Sequence, residues 1–370
     1  MADMNVTSAR TGLTPTQWDD KYWTEYVRRN QFARYMGREM GSMIQIKLDL
    51  ERENGDSVVF ATVRRLVGAG VTGNTVLEGN EELLNARSLK VVVAPVRHAV
   101  AVSDWDEQKS VIALREAARD ALMDWSLEKI RAEIITSLGS VTADADVQIS
   151  YGAATAGQRN TWLVNNTDRV LFGASTANHV SGVMATSLTT LDTTADKMTG
   201  AILSMAKRRA LMASPRIRPM RIDGDEEWFV AFMHPYVFRD FRNDPVVQQA
   251  NRDAWTRGAD NPLFTGGDLL WDGIVVREIP EMTVVPDAGA GGTVDVAATF
   301  LCGAQAVGIA WAQKTKSTTN TRDYGYFHGV GIQEMRGIAK LRFGTDASVD
   351  QTKPADAGVF TVYTTAEPDA

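Results

Sequence analysis

Gly68-Ala69-Gly70-Val71-Thr72-Gly73 has the G-x-G-x-x-G spacing that lets a backbone approach a pyrophosphate, and it follows a segment of strand texture. That chemistry needs a helix opening at the glycines and an acid about twenty residues further on for a ribose hydroxyl. Val76-Leu77-Glu78-Gly79-Asn80 would interrupt such a helix, and the acid's place falls in the valine run Val91 to Val93. The motif therefore reads as a flexible tip. Gly173-Ala174-Ser175-Thr176-Ala177 misses the nucleophile-elbow pattern at its last position. His98, His179, His234 and His328 are scattered without ligand spacing, and no phosphate-loop, H-E-x-x-H or calcium-loop motif occurs. No catalytic, cofactor-binding or metal-ligating residue is expected, and no cofactor.

Two charge features remain, and both suit contact between macromolecules. Between Lys197 and Ile222 every charged residue is positive: Lys197, Lys207, Arg208, Arg209, Arg216, Arg218 and Arg221. These could form a solvated face, pair within the chain, or meet an acidic neighbour or packaged DNA. In the second, Glu78, Glu81 and Glu82 cluster between Arg64, Arg65 and Arg87.

The elements that must carry these charges follow from pattern. Thr14, Pro15 and Gln17 have the spacing of an N-cap, a first-turn proline and a capping-box partner. Trp18, Tyr22 and Tyr26 then recur every four residues, and Ala33, Met36 and Met40 resume the stripe, predicting a helix or helix pair. Its apolar face packs on the chain's own core or, as an arm, on a neighbouring subunit. Val58 to Val67 and Leu89 to Val102 are β-branched runs flanking the Gly-rich, acid-bearing segment 68–88. They predict a long two-stranded ribbon with a mobile tip, reaching roughly 30 Å beyond the body. Because an isolated ribbon is marginal in water, support from outside the chain is expected.

Asp104 and Glu107 open the strongest helical pattern. Val111, Leu114, Ala118, Leu122 and Trp125, then Ile130, Ile134 and Leu138, mark its stripe, and Gly139 is its terminator, predicting a rod of about 45 Å. From Ser140 to about Thr194 the chain is rich in small and polar residues. It reads as loops with short strands near Trp162 to Val164 and Arg169 to Phe172. Further on come a helix from about Asp196 to Met212, a strand Trp228 to Met233, helical turns after Pro235 and through Val246 to Trp255, and a hairpin turning at Asp272-Gly273. In Val330 to Phe343 a mostly apolar set (Gln333, Met335, Gly337, Ala339, Leu341, Phe343) alternates with a mostly polar one (Ile332, Glu334, Arg336, Ile338, Lys340, Arg342).

Composition bounds the class. At 370 residues and 44% hydrophobic, the chain can bury one large core or two medium ones. The single cysteine, Cys302, excludes an internal disulfide framework, and the net charge of -7 disfavours a surface that embraces nucleic acid throughout. The opening MADMNVTSARTG lacks the features of a secretory signal, no run reaches the length of a membrane span, and no membrane partner is expected.

Taken together, GDSVVFATVRRLVGAGVTGNTVLEGNEE, the RHAVAVSDW to EAARDALMDW helix, HPYVFRDFRND, RGADNPLFTGGDLLWDGIVV and FLCGAQAVGIAWAQ resemble the coliphage-N-four-like branch of tailed-bacteriophage major capsid proteins. The likeness covers most of 55–139 and 228–343 and fades in 140–196 and at both termini. It implies an α+β, Hong Kong 97-type capsid fold: an N-terminal arm (1–56), an extended β-ribbon loop (57–103), a peripheral domain with a long spine helix and inserted loops (104–187), an axial domain (about 188–299), and a peripheral sheet with C-terminal tail (300–370). It further implies self-assembly into hexamers and pentamers of an icosahedral shell around double-stranded DNA, with assembly in the host cytoplasm. Possible partners are a decoration protein and a portal, with DNA touched only weakly and non-specifically. A cellular nanocompartment shell protein shares this fold and is the alternative; a nucleotide-dependent oxidoreductase is the alternative of another class. The intersubunit candidates are Trp18, Tyr22 and Tyr26 on the arm, Arg64, Arg65, Glu78, Glu81, Glu82 and Arg87 on the ribbon, and Arg208, Arg209, Arg216 and Arg218 on the basic segment. Because 51–89 contains no lysine and the Thr14 cap comes so early, the shell is expected to be non-covalent and its subunit unprocessed.

Overall fold

The computed structural model describes residues 32–48, 55–63, 70–74, 76–78, 81, 86–110, 113–142, 148–222, 226–255, 264–265, 268–344 and 354–369. The Thr14 cap and its helix lie outside them. Ala33, Met36 and Met40 do not continue a helix: Ala33–Tyr35 is one 3-10 turn, Met36–Gly37 pairs as strand, and Met40 is exposed.

Along the chain come β1 (Ile44–Lys47), β2 (Ser57–Val63), β3 (Ala86–Val92), β4 (Ala94–Ser103), α1 (Asp104–Lys109) and α2 (Leu114–Leu138). Then follow α3 (Ala156–Asn165), β5 (Val170–Phe172), α4 (Gly200–Met212), β6 (Glu226–Met233), α5 (Pro235–Asn243) and α6 (Pro245–Trp255). The last third holds β7 (Asp268–Trp271), β8 (Ile274–Glu278), β9 (Val296–Cys302), β10 (Val307–Arg322), β11 (Phe327–Lys340) and β12 (Val359–Thr365). One sheet is five-stranded, with Met36–Gly37 at its edge and then β1, β10, β11 and β4. The other is nine-stranded, its spine running β7, β8, β6, β9, β12 and β5.

Period-two alternation decides which side of the larger sheet each residue joins. Phe229, Ala231 and Met233 of β6 pack with Ile202, Leu203 and Ala206 of α4 and with Val237 and Phe241 of α5. Val230 and Phe232 face the other way, into a core with Leu122, Ile130 and Ile134 of α2 and Ile309, Trp311, Val330 and Ile332 of the smaller sheet. The α2 rod is thus the wall shared by both sheets. The Asp272-Gly273 turn is as expected: both residues have positive φ, as the type I′ two-residue hairpin loop requires.

The rod is shorter than its pattern suggests. Ser103 caps α1, accepting from the Asp106 N–H at 3.1 Å, but at Ser110 the backbone is extended, and Val111 lies outside the described residues. A second helix starts at Leu114 and ends at Gly139, so its 25 residues span about 38 Å. The expected strand at Trp162 to Val164 is instead the last turn of α3. Thr155 and Gln158 form a reciprocal capping box there, outweighing the low apolar content of the segment. The expected strand at Arg169 to Phe172 is present as β5, and the Asp196 helix starts at Gly200, capped by Thr199.

Candidate intersubunit surfaces

The ribbon is real but shorter on its return side. β2 and β3 pair from Ser57↔Val92 to Val63↔Ala86; the chain then changes sheets at Val93, whose N–H is held by Asp56 O at 2.9 Å. The remainder of the expected return run, Ala94 to Val102, pairs with β11 in β4. The described base of the ribbon is seated on its own chain. Val58, Phe60, Leu89 and Val91 are buried against Ala310, Ala339, Leu341 and Ala357. Gly337 permits the close approach, because a Cβ there would come within 2.2 Å of Val92 O. The other ribbon face stays open, with Val59 and Val92 both more than half exposed.

That seat explains the apparent two-sidedness of β11. Its apolar set, through Ala339 and then Leu341, covers the ribbon base, whereas Met335 is exposed. Its polar set turns inward and is buried, contrary to the usual sorting of charge. Arg336 Nε donates to Glu133 Oε2 of α2 at 2.8 Å and its Nη1 pairs with Glu334, which also accepts from Thr315 Oγ1 at 3.1 Å. Burial raises the Glu334 carboxyl above its ordinary value, with Arg336 opposing. Lys340 Nζ meets Asp356 Oδ2 and Ser140 O, both at 2.7 Å, and Trp162 Nε1 donates to the same carboxylate oxygen at 3.2 Å.

Of the sequence-predicted contact residues, Trp18, Tyr22, Tyr26, Arg64, Arg65 and Glu82 lie outside the described residues. Arg87 is on β3. Glu78 and Glu81 are exposed, and Gly70 and Gly73 have positive φ beside exposed Thr72 and Asn74. The basic segment divides. Arg209 turns inward, donating to Thr167 O at 3.2 Å and Val170 O at 3.4 Å; Lys207 approaches Asp272; Arg216 Nε donates to Leu211 O at 2.8 Å. Arg208 and Arg218 are exposed.

A further surface escaped sequence reading. The β10–β11 hairpin turns at Asp323, Tyr324 and Gly325, all with positive φ, and its end displays Tyr324, Tyr326 and Phe327. Asp104 N–H donates to Tyr326 O at 3.0 Å, and Asp104 Oδ1 meets His328 Nε2 at 3.0 Å and Arg115 Nη2 at 2.8 Å. These bonds fix α1, with its exposed Trp105, to the same corner. Exposed aromatics grouped on a rigid corner are the usual mark of an interaction surface. The D-Y-G turn between strand-like runs was the available signal.

The histidines serve locally: His98 lies against Trp125, His179 against Phe172, and His234 caps α5. Cys302 is buried in the core, which pushes its thiol up and out of nucleophilic range. Among the described residues the geometry offers a seated ribbon base, exposed Glu78 and Glu81, an aromatic corner and exposed Arg208 and Arg218.

The sequence profile of the family described as phage capsid protein matches residues 6–368. The major capsid protein of Pseudomonas phage KPP25 is 29% identical over 370 residues, 96% of each chain. Among solved structures, the capsid asymmetric unit of cyanophage Pam1 has 34% identity and a TM-score of 0.80, covering 99% of this chain and 100% of that one. The capsid of Ralstonia phage GP4 has 25% identity and a TM-score of 0.73, covering 92% of each.

Proposed function

The chain belongs to the phage capsid protein family, and on that premise we propose how it builds a shell. It is a tailed-phage major capsid protein of α+β, Hong Kong 97-type fold, a structural component of the virion. The observation that carries this is coextensiveness: a solved capsid subunit matches the chain end to end, leaving little of it for a separate catalytic domain.

In our reading, residues 1–56 form an arm, 57–103 the extended loop, 104–187 and 300–370 the peripheral domain, and 188–299 the axial domain. Axial domains meet around each capsomer, while arm and ribbon overlap neighbours. Many interfaces of about 1,600 Å² each suffice to close a shell without any one being strong. The acidic tip at Glu78 and Glu81 seeks a basic neighbour surface, for which exposed Arg208 and Arg218 are suited. The aromatic corner at Trp105, Tyr324 and Phe327 supplies an apolar contact. The subunit does no catalysis, assembles in the host cytoplasm, and touches DNA weakly.

Expression of the chain alone, followed by electron microscopy, tests the reading. Closed icosahedral particles are expected, and particles recovered from infection should hold double-stranded DNA. A persistent monomer, or particles filled with enzyme cargo, would reject it.

A further inference from the structure

Helical spacing brings a set of cations together on the open side of α5 and α6. Arg239 and Arg242 are three apart on α5, and Gln248 and Arg252 four apart on α6, so each pair shares a helix face. The helices join at Asp244, and the two faces converge on a concavity of about 520 Å³, with Phe238 in its lining and Glu278 also on its wall. That volume lies within the ordinary range for small-ligand sites.

One anion is already present at the edge. Arg239 pairs with the carboxylate of Asp369, near the C-terminus, and donates to Glu367 O at 3.0 Å, while Asp240 Oδ1 accepts from its Nε and Nη2 at 3.0 Å each. Arg242 and Arg252 line the same concavity, both exposed, and neither holds a carboxylate among the described residues; Arg252 Nε reaches only Gln248 O, at 3.4 Å.

We propose that this α5–α6 corner binds a phosphate group, with Arg242 and Arg252 as its guanidinium forks. A carboxylate has two oxygens and suits one fork; at Arg239 one oxygen of Asp369 meets Nη1 while Asp240 Oδ1 takes the Nε and Nη2 side. Two further forks and the Gln248 amide present donors on several sides, and they match an anion with three or four acceptor oxygens. Glu278 disfavours the anion on its own wall and so holds it toward the arginines. The phosphate arrives either free, as inorganic phosphate or a nucleotide, or as the diester of DNA. The chemistry is the same, and it does not depend on whether shells form.

The test uses the full-length, unassembled subunit with two probes, inorganic phosphate followed by calorimetry and a fluorescein-labelled single-stranded oligodeoxynucleotide followed by anisotropy. Binding of at least one is expected, weakening steeply with salt. Losing one charge-assisted fork, in Arg242→Gln or Arg252→Gln, should weaken it about tenfold or more. The double Arg→Lys variant should retain part of the affinity and Glu278→Gln should tighten it, all with unchanged thermal midpoints because these side chains are exposed. Inorganic phosphate binding alone identifies a free-phosphate site, and oligonucleotide binding alone a diester site. No binding of either probe, equal binding by the arginine variants, or stronger displacement by a glutamate-rich peptide than by phosphate would overturn the proposal.

Discussion

Lys340 Nζ lies 2.7 Å from Asp356 Oδ2, and both side chains are almost wholly withdrawn from solvent. Burial pushes the ammonium below its ordinary value, Asp356 opposing. Removing one partner strands the other charge. Lys340→Met should therefore destabilise the subunit by about 3–5 kcal/mol. Lys340→Met combined with Asp356→Leu should recover most of the loss. Denaturant unfolding of the three proteins measures this, and a single variant as stable as the parent contradicts it.

The ribbon's seat has no room at Gly337. In Gly337→Ala the new Cβ meets backbone, Val92 O, which cannot step aside as a side-chain tip could. The base should lift from β10 and β11, and limited proteolysis should cut 57–92 faster than in the parent. Phe60→Ala should act alike, costing about 3–5 kcal/mol through the cavity it leaves.

The tip is expected to act between subunits. Changing Glu78, Glu81 and Glu82 together to Lys should block shell assembly and leave a soluble, folded subunit, as read by sedimentation and circular dichroism. Normal shells from this variant would mean the tip is only solvated.

His234 makes α5 acid-sensitive. Its Nδ1 accepts from the Tyr236 N–H at 3.3 Å, and burial lowers its pKa from the ordinary 6.5. A depressed folded pKa gives a contribution fully present above pH 6.5 and lost as pH falls through the folded value. Protonation would also turn the capping acceptor into a donor. The thermal midpoint should drop across that window in the parent and drop less in His234→Asn, which keeps a cap at a cost of about 1 kcal/mol or less. Parallel pH profiles would refute this.

The shell is expected to be held without covalent links. Mature particles boiled in detergent should give one band near 40.5 kDa on a denaturing gel. A ladder would show cross-linking, and a much smaller band would show processing.

Sequence alone determined what local patterning records. It gave the strand character of the ribbon, the Asp272-Gly273 turn, the end of the rod at Gly139, and ordered stretches long enough to resemble one capsid family. It failed where a residue's role depends on distant partners. Glu334, Arg336 and Lys340 alternate like a wet face, yet they are dry because Glu133 and Asp356 come to meet them from other elements. The valine run from Val91 to Val102 looks continuous, but only the competition between β2 and β11 for its edge divides it at Val93. α3 was missed because its capping box lies in a stretch poor in apolar residues, and its Trp162 is fixed by Asp356, 194 positions away. Local periodicity reports which side of an element is apolar; only the folded chain decides what covers each side, and thus which charges are buried and which surfaces remain for a neighbour.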